Sequence, residues 1–256
     1  MKRILKSFCA ALLALLPVVA VAQIDGEFVK PRNGKFLLKN ATVVTVTKGT
    51  LKNTSVLLEN GKISQVGTTL SSEGAEVIDC TGMFIYPGII DGGTRLGLVE
   101  VSSVPETVDY SDVGNVTPNM QALTTVNPNS EAIGVTRVSG VTTVLTVPTG
   151  GLFPGTAALI NLNGYTPDQM YGGFKAVAMI FPSSGRRGRF DRRSDEDIKK
   201  DGEKAMKEAN DIWDNAKSYL ELKKSGAELT YFPEMEQLSK VITGELSLLI
   251  EVNSAS

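Results

Sequence analysis

The sequence predicts an α/β protein in which a small β-sandwich-like unit precedes a strand–helix–strand region. Three observations carry that prediction. Residues 36–86 are a series of short, β-branched runs separated by Lys48-Gly49, Asn60-Gly61 and Thr81-Gly82. After Pro87, strand-like apolar runs alternate with segments of helical spacing, the order expected of a sheet with crossover helices. The longest helical segment carries Ile198, Ala205, Ala209, Ile212, Trp213, Ala216, Tyr219 and Leu220 at that spacing.

Taken in order, residues 1–22 read as a signal peptide: Lys2, Arg3 and Lys6 precede an apolar run from Phe8 to Val21, and Ala20-Val21-Ala22 fits a small-x-small cleavage site. The run is too short to span a membrane comfortably. The expected mature protein starts at Gln23 and is exported, to a bacterial periplasm or beyond, with no membrane attachment after cleavage. Cleavage removes three basic and no acidic side chains, taking the net charge from −2 to −5, which argues against nucleic acid as a partner. Cys80 is then the one remaining cysteine, so no internal disulfide is expected, and its apolar setting suits a buried, inert thiol.

The N-terminal β unit spans residues 23–87. Phe36 to Val46 is a β-branched strand, Thr54 to Leu58 a second, and Asn60-Gly61 a hairpin signal leading into Ile63 to Gly67. Glu76 to Asp79 and Met83 to Tyr86 are two further short strands. The region 88–256 begins with a strand from Ile89, followed by a long polar connection over 99–128. A short helix from Ser130 to Ser139 ends at Gly140, and Val141 to Val147 is a strongly β-branched strand. Ala157 to Leu162 and Phe174 to Phe181 are further strands. Ser194 and Asp197 form an S-x-x-D capping box that opens the long helix, with Lys223, Lys224 and Gly226 as its stop signals. A second helix runs from Pro233 to about Thr243, and Leu246 to Asn253 reads as a buried parallel strand.

Periodicity alone leaves a barrel and a doubly wound sheet both open. The blocks Val77-Ile78-Asp79-Cys80-Thr81-Gly82 and Pro87-Gly88-Ile89-Ile90-Asp91 resemble the N-terminal signature of the amidohydrolase superfamily, V-I-D-A-T-G-K-x-V-x-P-G-L-I-D-x-H-x-H. Asn40 to Thr45, Glu59 to Ile63, and Arg137-Val138-Ser139-Gly140-Val141-Thr142-Thr143 follow the same family in the same order. Pro148 to Leu152 and Gly155 to Gly164 resemble its exported, imidazolonepropionase-like branch. The resemblance implies a TIM-like (β/α) barrel, here partial, because only 168 residues follow Gly88 whereas a closed eightfold barrel takes about 250. It also implies hydrolysis of non-peptide C–N bonds in cyclic amides, or of small peptides, with a small molecule as substrate and one or two divalent metals such as zinc as cofactor.

This chain departs from the pattern where the family holds its metal. It contains no histidine, and the positions of the family's ligands read Gly93, Arg95 and, on the terminal strand, Glu251. Glycine has no donor atom, and a permanent cation cannot ligate. One carboxylate is not a zinc site, which needs about four donors. No cofactor is therefore expected from this chain alone, and inherited catalysis is in question. Glu251 is a candidate general base, lone metal donor or counter-ion for Arg95. Asp91 is a second acidic candidate, with a structural role as its alternative. Arg95 is the candidate ligand-binding residue; its alternative is an ion pair with Glu251 or Glu100. The arginine-rich loop 185–193 is expected to be a solvated loop neutralised by neighbouring acids, and Gly150-Gly151 a turn. The alternative function is that of a non-catalytic binding or assembly component, a half-barrel completed by a partner chain, or a truncated fragment.

Overall fold

A computed structural model describes residues 34–183, 185 and 191–252. The expected export signal, Cys9 and the arginines at 186, 187 and 189 lie outside the described residues. The chain divides into two units at Pro87/Gly88.

The first unit is a connected five-stranded sheet. Strands β1 (Lys35–Thr45), β2 (Gly49–Glu59), β3 (Lys62–Gly67) and β4 (Glu76–Asp79) lie in the order β3-β2-β1-β4, and the two-residue β5 (Phe84–Ile85) also pairs with β1. The β2–β3 hairpin turns at Asn60-Gly61, both with positive φ (52° and 75°), as a type I′ turn requires. A register shift in β1 between Leu38 and Ala41 coincides with Asn40 at φ 63°, and the Asn40 amide donates to Asp79 Oδ1 (3.2 Å). That bulge divides the far edge of β1 between two parallel partners, β4 along residues 36–39 and β5 along residues 42–43. Ala41, Val43, Val56 and Cys80 form the buried centre of this unit, where burying the thiol beside apolar neighbours leaves it a filler.

The second unit is built on strands β6 (Ile89–Thr94), β7 (Val141–Thr146), β8 (Gly155–Asn161), β9 (Tyr171–Ile180) and β10 (Ser247–Glu251), in the order β10-β9-β8-β7-β6. Its helices are α1 (Ala122–Thr125), α2 (Glu131–Val138), α3 (Pro167–Met170), α4 (Asp195–Lys224) and α5 (Pro233–Ile242). The architecture is thus mixed α/β, with a half-barrel sheet and a separate β-rich unit. The pairs β6–β7 and β9–β10 are parallel, and each is joined through helices. β8 is antiparallel to both of its neighbours, a departure from uniform strand–helix alternation. The cause is chain length. Only residues 147–154 connect β7 to β8, too few for a crossover, so the strand turns back and the next returns to the shared direction.

Gly88 of the P-G-I-I-D block has a steric reason to be glycine. A Cβ there would stand 2.2 Å from Thr142 Oγ1 and 2.8 Å from Thr142 Cβ, across the β6–β7 pair. α4 begins as the capping box predicts: Ser194 Oγ accepts from Asp197 N (3.1 Å) and donates to the Asp197 carboxylate (2.6 Å). Its Ala209, Ile212 and Ala216 are buried with Phe153, Val177, Met179 and Leu238, and Trp213 meets Phe153 edge-on at 5.6 Å. A second core, under α1 and α2, gathers Leu98, Ile133, Val144, Ile160 and Leu162. The polar connection of 99–128 is tied down piece by piece. Thr156 Oγ1, itself receiving a bond from Gln237 (2.9 Å), donates to Pro118 O (2.7 Å). Leu152 and Phe153 both donate their N–H to Asn115 O.

Candidate functional site

Strands β6, β7, β9 and β10 run in one direction, so their C-terminal ends converge. A cavity of about 560 Å³ opens there. It is lined by Gly92 to Arg95 from β6, Val147 to Thr149 after β7, Ala178 to Ile180 from β9 and Leu249 to Glu251 from β10. β8, running the opposite way, lends no lining residue. This is the face at which parallel α/β strands present their functional groups, because the loops leaving it are free of the sheet's hydrogen-bonding.

Local bonds hold Arg95 in place. Val147 N donates to Thr94 O (2.8 Å) and the fully buried Thr146 hydroxyl donates to Leu96 O (3.0 Å), so β7 clamps the backbone on both sides of residue 95. Leu96 N donates to Thr94 Oγ1 (3.2 Å), and Leu98 N to Arg95 O (2.9 Å). The side chain is exposed, with its guanidinium carbon 4.5 Å from the centroid of the Tyr110 ring. Tyr110 is half-buried against the second core, and its carbonyl accepts from Thr149 N (2.7 Å). One residue of the long connection thereby supports two walls of the cavity.

Of the sequence-predicted residues, Gly93, Arg95 and Glu251 meet in this cavity; Asp91 is not among its lining residues. Asp91 is exposed, and its Oδ1 accepts from Gly93 N (3.1 Å), a bond that shapes the end of β6. Glu251 is exposed at the end of β10, where its carbonyl accepts from Phe181 N (2.9 Å). The ion pair expected as an alternative for Arg95 is not formed: among the described residues none joins it to Glu251, and Glu100 is engaged by Asn127 (3.1 Å) and Ser130 (3.0 Å). A cation–π contact with Tyr110 stands in the place of charge pairing. Tyr110 had no sequence signal, since it stands in a connection without periodicity. In the arginine-rich loop, Arg193 pairs with Asp191 and Asp201 (2.7 Å to the latter), hydrogen bonds that push its pKa further up.

The donors at the cavity do not fit a divalent-metal centre. They comprise the Glu251 carboxylate and the Thr94 and Thr149 hydroxyls, next to a fixed positive charge on Arg95. Among the described residues there is no group of three or more His, Cys, Asp or Glu side chains that could hold a metal ion. The cavity instead offers one cation, one carboxylate, two hydroxyls and an apolar wall of Val147, Pro148, Met179, Ile180 and Leu249.

No family model matches the chain. It is similar to the D-hydantoinase of Geobacillus stearothermophilus, 37% identical over 90 residues, 35% of this chain and 18% of that protein. It is also similar to the dihydroorotase of Pelotomaculum thermopropionicum, 31% identical over 103 residues, 32% of this chain and 24% of that protein. Among solved structures, an amidohydrolase from Thermotoga maritima superposes with a TM-score of 0.69 at 26% identity, over 84% of this chain and 57% of the other. The chain thus matches less than two thirds of the length of each of these relatives. The ordered signature blocks, the fold of the second unit, and these relatives together support the amidohydrolase superfamily as the family of this chain.

Proposed function

We propose that this chain is an amidohydrolase-type scaffold that binds a small cyclic amide in the cavity at the ends of β6, β7, β9 and β10 and does not by itself hydrolyse it through a metal. The observation that carries this is the joint placement of Gly93, Arg95 and Glu251 in one cavity of about 560 Å³, where the family pattern calls for ligands. Hydantoins and dihydroorotate, the compounds for which two relatives are named, are cyclic amides of a size this cavity accepts. Metal activation of water is the step a C–N hydrolase of this kind depends on, and two of the three positions cannot donate to a metal.

The test is metal content and turnover together. The purified chain, incubated with zinc and freed of excess, is expected to carry well under one metal per chain. Hydantoin, dihydroorotate and dipeptides are expected to persist, while calorimetry detects binding of at least one cyclic amide. Stoichiometric metal with turnover abolished by a chelator overturns the proposal.

A second reading, assembly with a partner that supplies further strands, is favoured by the open edges of the second sheet. Among the described residues β6 pairs only with β7 and β10 only with β9, and Ile89, Ile90 and Ile250 near those edges are exposed. Unpaired edges template added strands. A monodisperse monomer by light scattering, with a cooperative unfolding transition, would remove this reading. Export remains a proposal that rests on residues 1–22, checked by the N-terminal sequence of the protein recovered from the periplasm.

A further inference from the structure

Arg95 combines three properties that seldom occur together without a purpose. It lines the cavity, it is exposed, and among the described residues no carboxylate lies within ion-pair distance of it. The Tyr110 ring holds it at 4.5 Å without neutralising it. Among the described residues no carboxylate occupies its N–H donors. An aromatic face attracts the face of the guanidinium, whereas its N–H donors lie in the plane and point outward from the edge. A carboxylate uses that edge, accepting two parallel hydrogen bonds. A guanidinium can therefore hold a ring on its face and an anion on its edge at the same time.

We infer that Arg95, stacked on Tyr110, is the anchor for the carboxylate of a small organic acid, so that the position where the family ligates a metal is here a site for an anion. This rests on the cavity-binding reading above and narrows its ligand to a cyclic amide bearing a carboxylate. The Thr94 and Thr149 hydroxyls supply further donors in the lining, and Pro148, Met179 and Ile180 face an apolar body. Glu251, the other ionisable group of the lining, carries the opposite charge, so the lining sums to zero before a ligand enters. A monoanion suits that balance better than a doubly charged phosphate, which Glu251 would repel.

The experiment is calorimetric titration of the full chain with hydantoin-5-acetic acid, the corresponding neutral acetamide, 3-phenylpropionate and inorganic phosphate. The acid is expected to bind about tenfold or more tightly than the acetamide, the scale of a charge-assisted pair. Arg95→Gln is expected to erase that preference, Arg95→Lys to keep part of it, and added salt to reduce it. Circular dichroism checks that the variants fold, which the exposure of residue 95 favours. Equal affinity for acid and acetamide, a preference that survives in Arg95→Gln, or tighter binding of phosphate than of the acid overturns the inference. If 3-phenylpropionate binds through Arg95 while the acetamide binds to no variant, the anchor stands and the cyclic-amide reading falls. If none of the four probes binds, both fall.

Discussion

The Arg95 guanidinium lies over the ring of Tyr110, 4.5 Å from its centroid, although the two residues are separated by the most irregular part of the chain. The contact ties the long connection to the end of β6 through a residue that lines the cavity. Substituting Tyr110 by Phe keeps the ring, and the affinity for hydantoin-5-acetic acid is expected to stay within about twofold of the parent. Tyr110→Leu removes an attraction of about 0.5–1 kcal/mol, so that affinity is expected to fall roughly two- to fivefold, with the acetamide unaffected.

Gly93 lines the cavity with nothing within 4 Å of where its Cβ would stand, and its φ is not among the positive ones. There is room for a larger side chain. The double variant Gly93→His with Arg95→His adds two imidazoles to the Glu251 carboxylate and removes the repelling cation. Its zinc content by mass spectrometry is expected to rise clearly above that of the parent chain, because three donors and an open position are what a catalytic zinc site uses. No gain over the parent would mean that these positions do not converge as the cavity lining indicates.

Gly88 faces Thr142 at a distance that no Cβ contact tolerates. Gly88→Ala is expected to destabilise the second unit by about 1–3 kcal/mol, the usual cost of overpacking. Combining it with Thr142→Ala, which removes Oγ1 and Cγ2 but leaves the Cβ 2.8 Å away, is expected to recover part of that loss. Urea unfolding followed by the fluorescence of Trp213, the chain's one tryptophan, measures both. Strict additivity of the two substitutions would disprove the contact.

Phe153 is fully buried and packs edge-on against Trp213. Phe153→Ala is expected to cost about 3–5 kcal/mol, since both transfer free energy and a cavity are lost. The same fluorescence-detected unfolding reads it directly.

Asp79 has a pKa below the usual carboxylate range, first because the Thr81 hydroxyl donates to it (2.7 Å), then because the Asn40 amide does so. A depressed folded-state pKa means that its stabilising contribution is present above the unfolded value, about 3.9, and is lost as pH falls through the folded value. In a carbon-13 NMR titration Asp79 is expected to protonate later than an unstructured aspartate on descending pH. Replacing Asn40 or Thr81 by Ala is expected to move that midpoint upward.

Much of the second unit was legible because its signals are local. Helix α4 follows from its capping box and the spacing of its apolar residues, and β7 from a β-branched run that ends at Pro148. In the first unit, the Asn60-Gly61 turn likewise follows from two residues that tolerate positive φ. The reversal of β8 was not legible as a pattern, since an apolar strand looks the same in either direction. It follows only from the shortness of the 147–154 connection, once both flanking strands are placed. The Tyr110 contact of Arg95 lies beyond local signals for a similar reason. Acidic residues are the expected company of an arginine, yet Glu100 is held by Asn127 and Ser130, and a tyrosine without periodic context fills the space.

The sequence by itself pointed to the superfamily, ordered the strands and the three longer helices of the second unit, and put Gly93, Arg95 and Glu251 at positions where ligands are called for. Those properties reside in short stretches of chain and in the chemistry of single side chains. Only the tertiary structure decided that the three residues share one cavity, that Asp91 turns back on Gly93 and does not line it, and that Tyr110 holds Arg95. These depend on which strand ends converge, and convergence is set by strand direction and sheet order, which no single segment encodes.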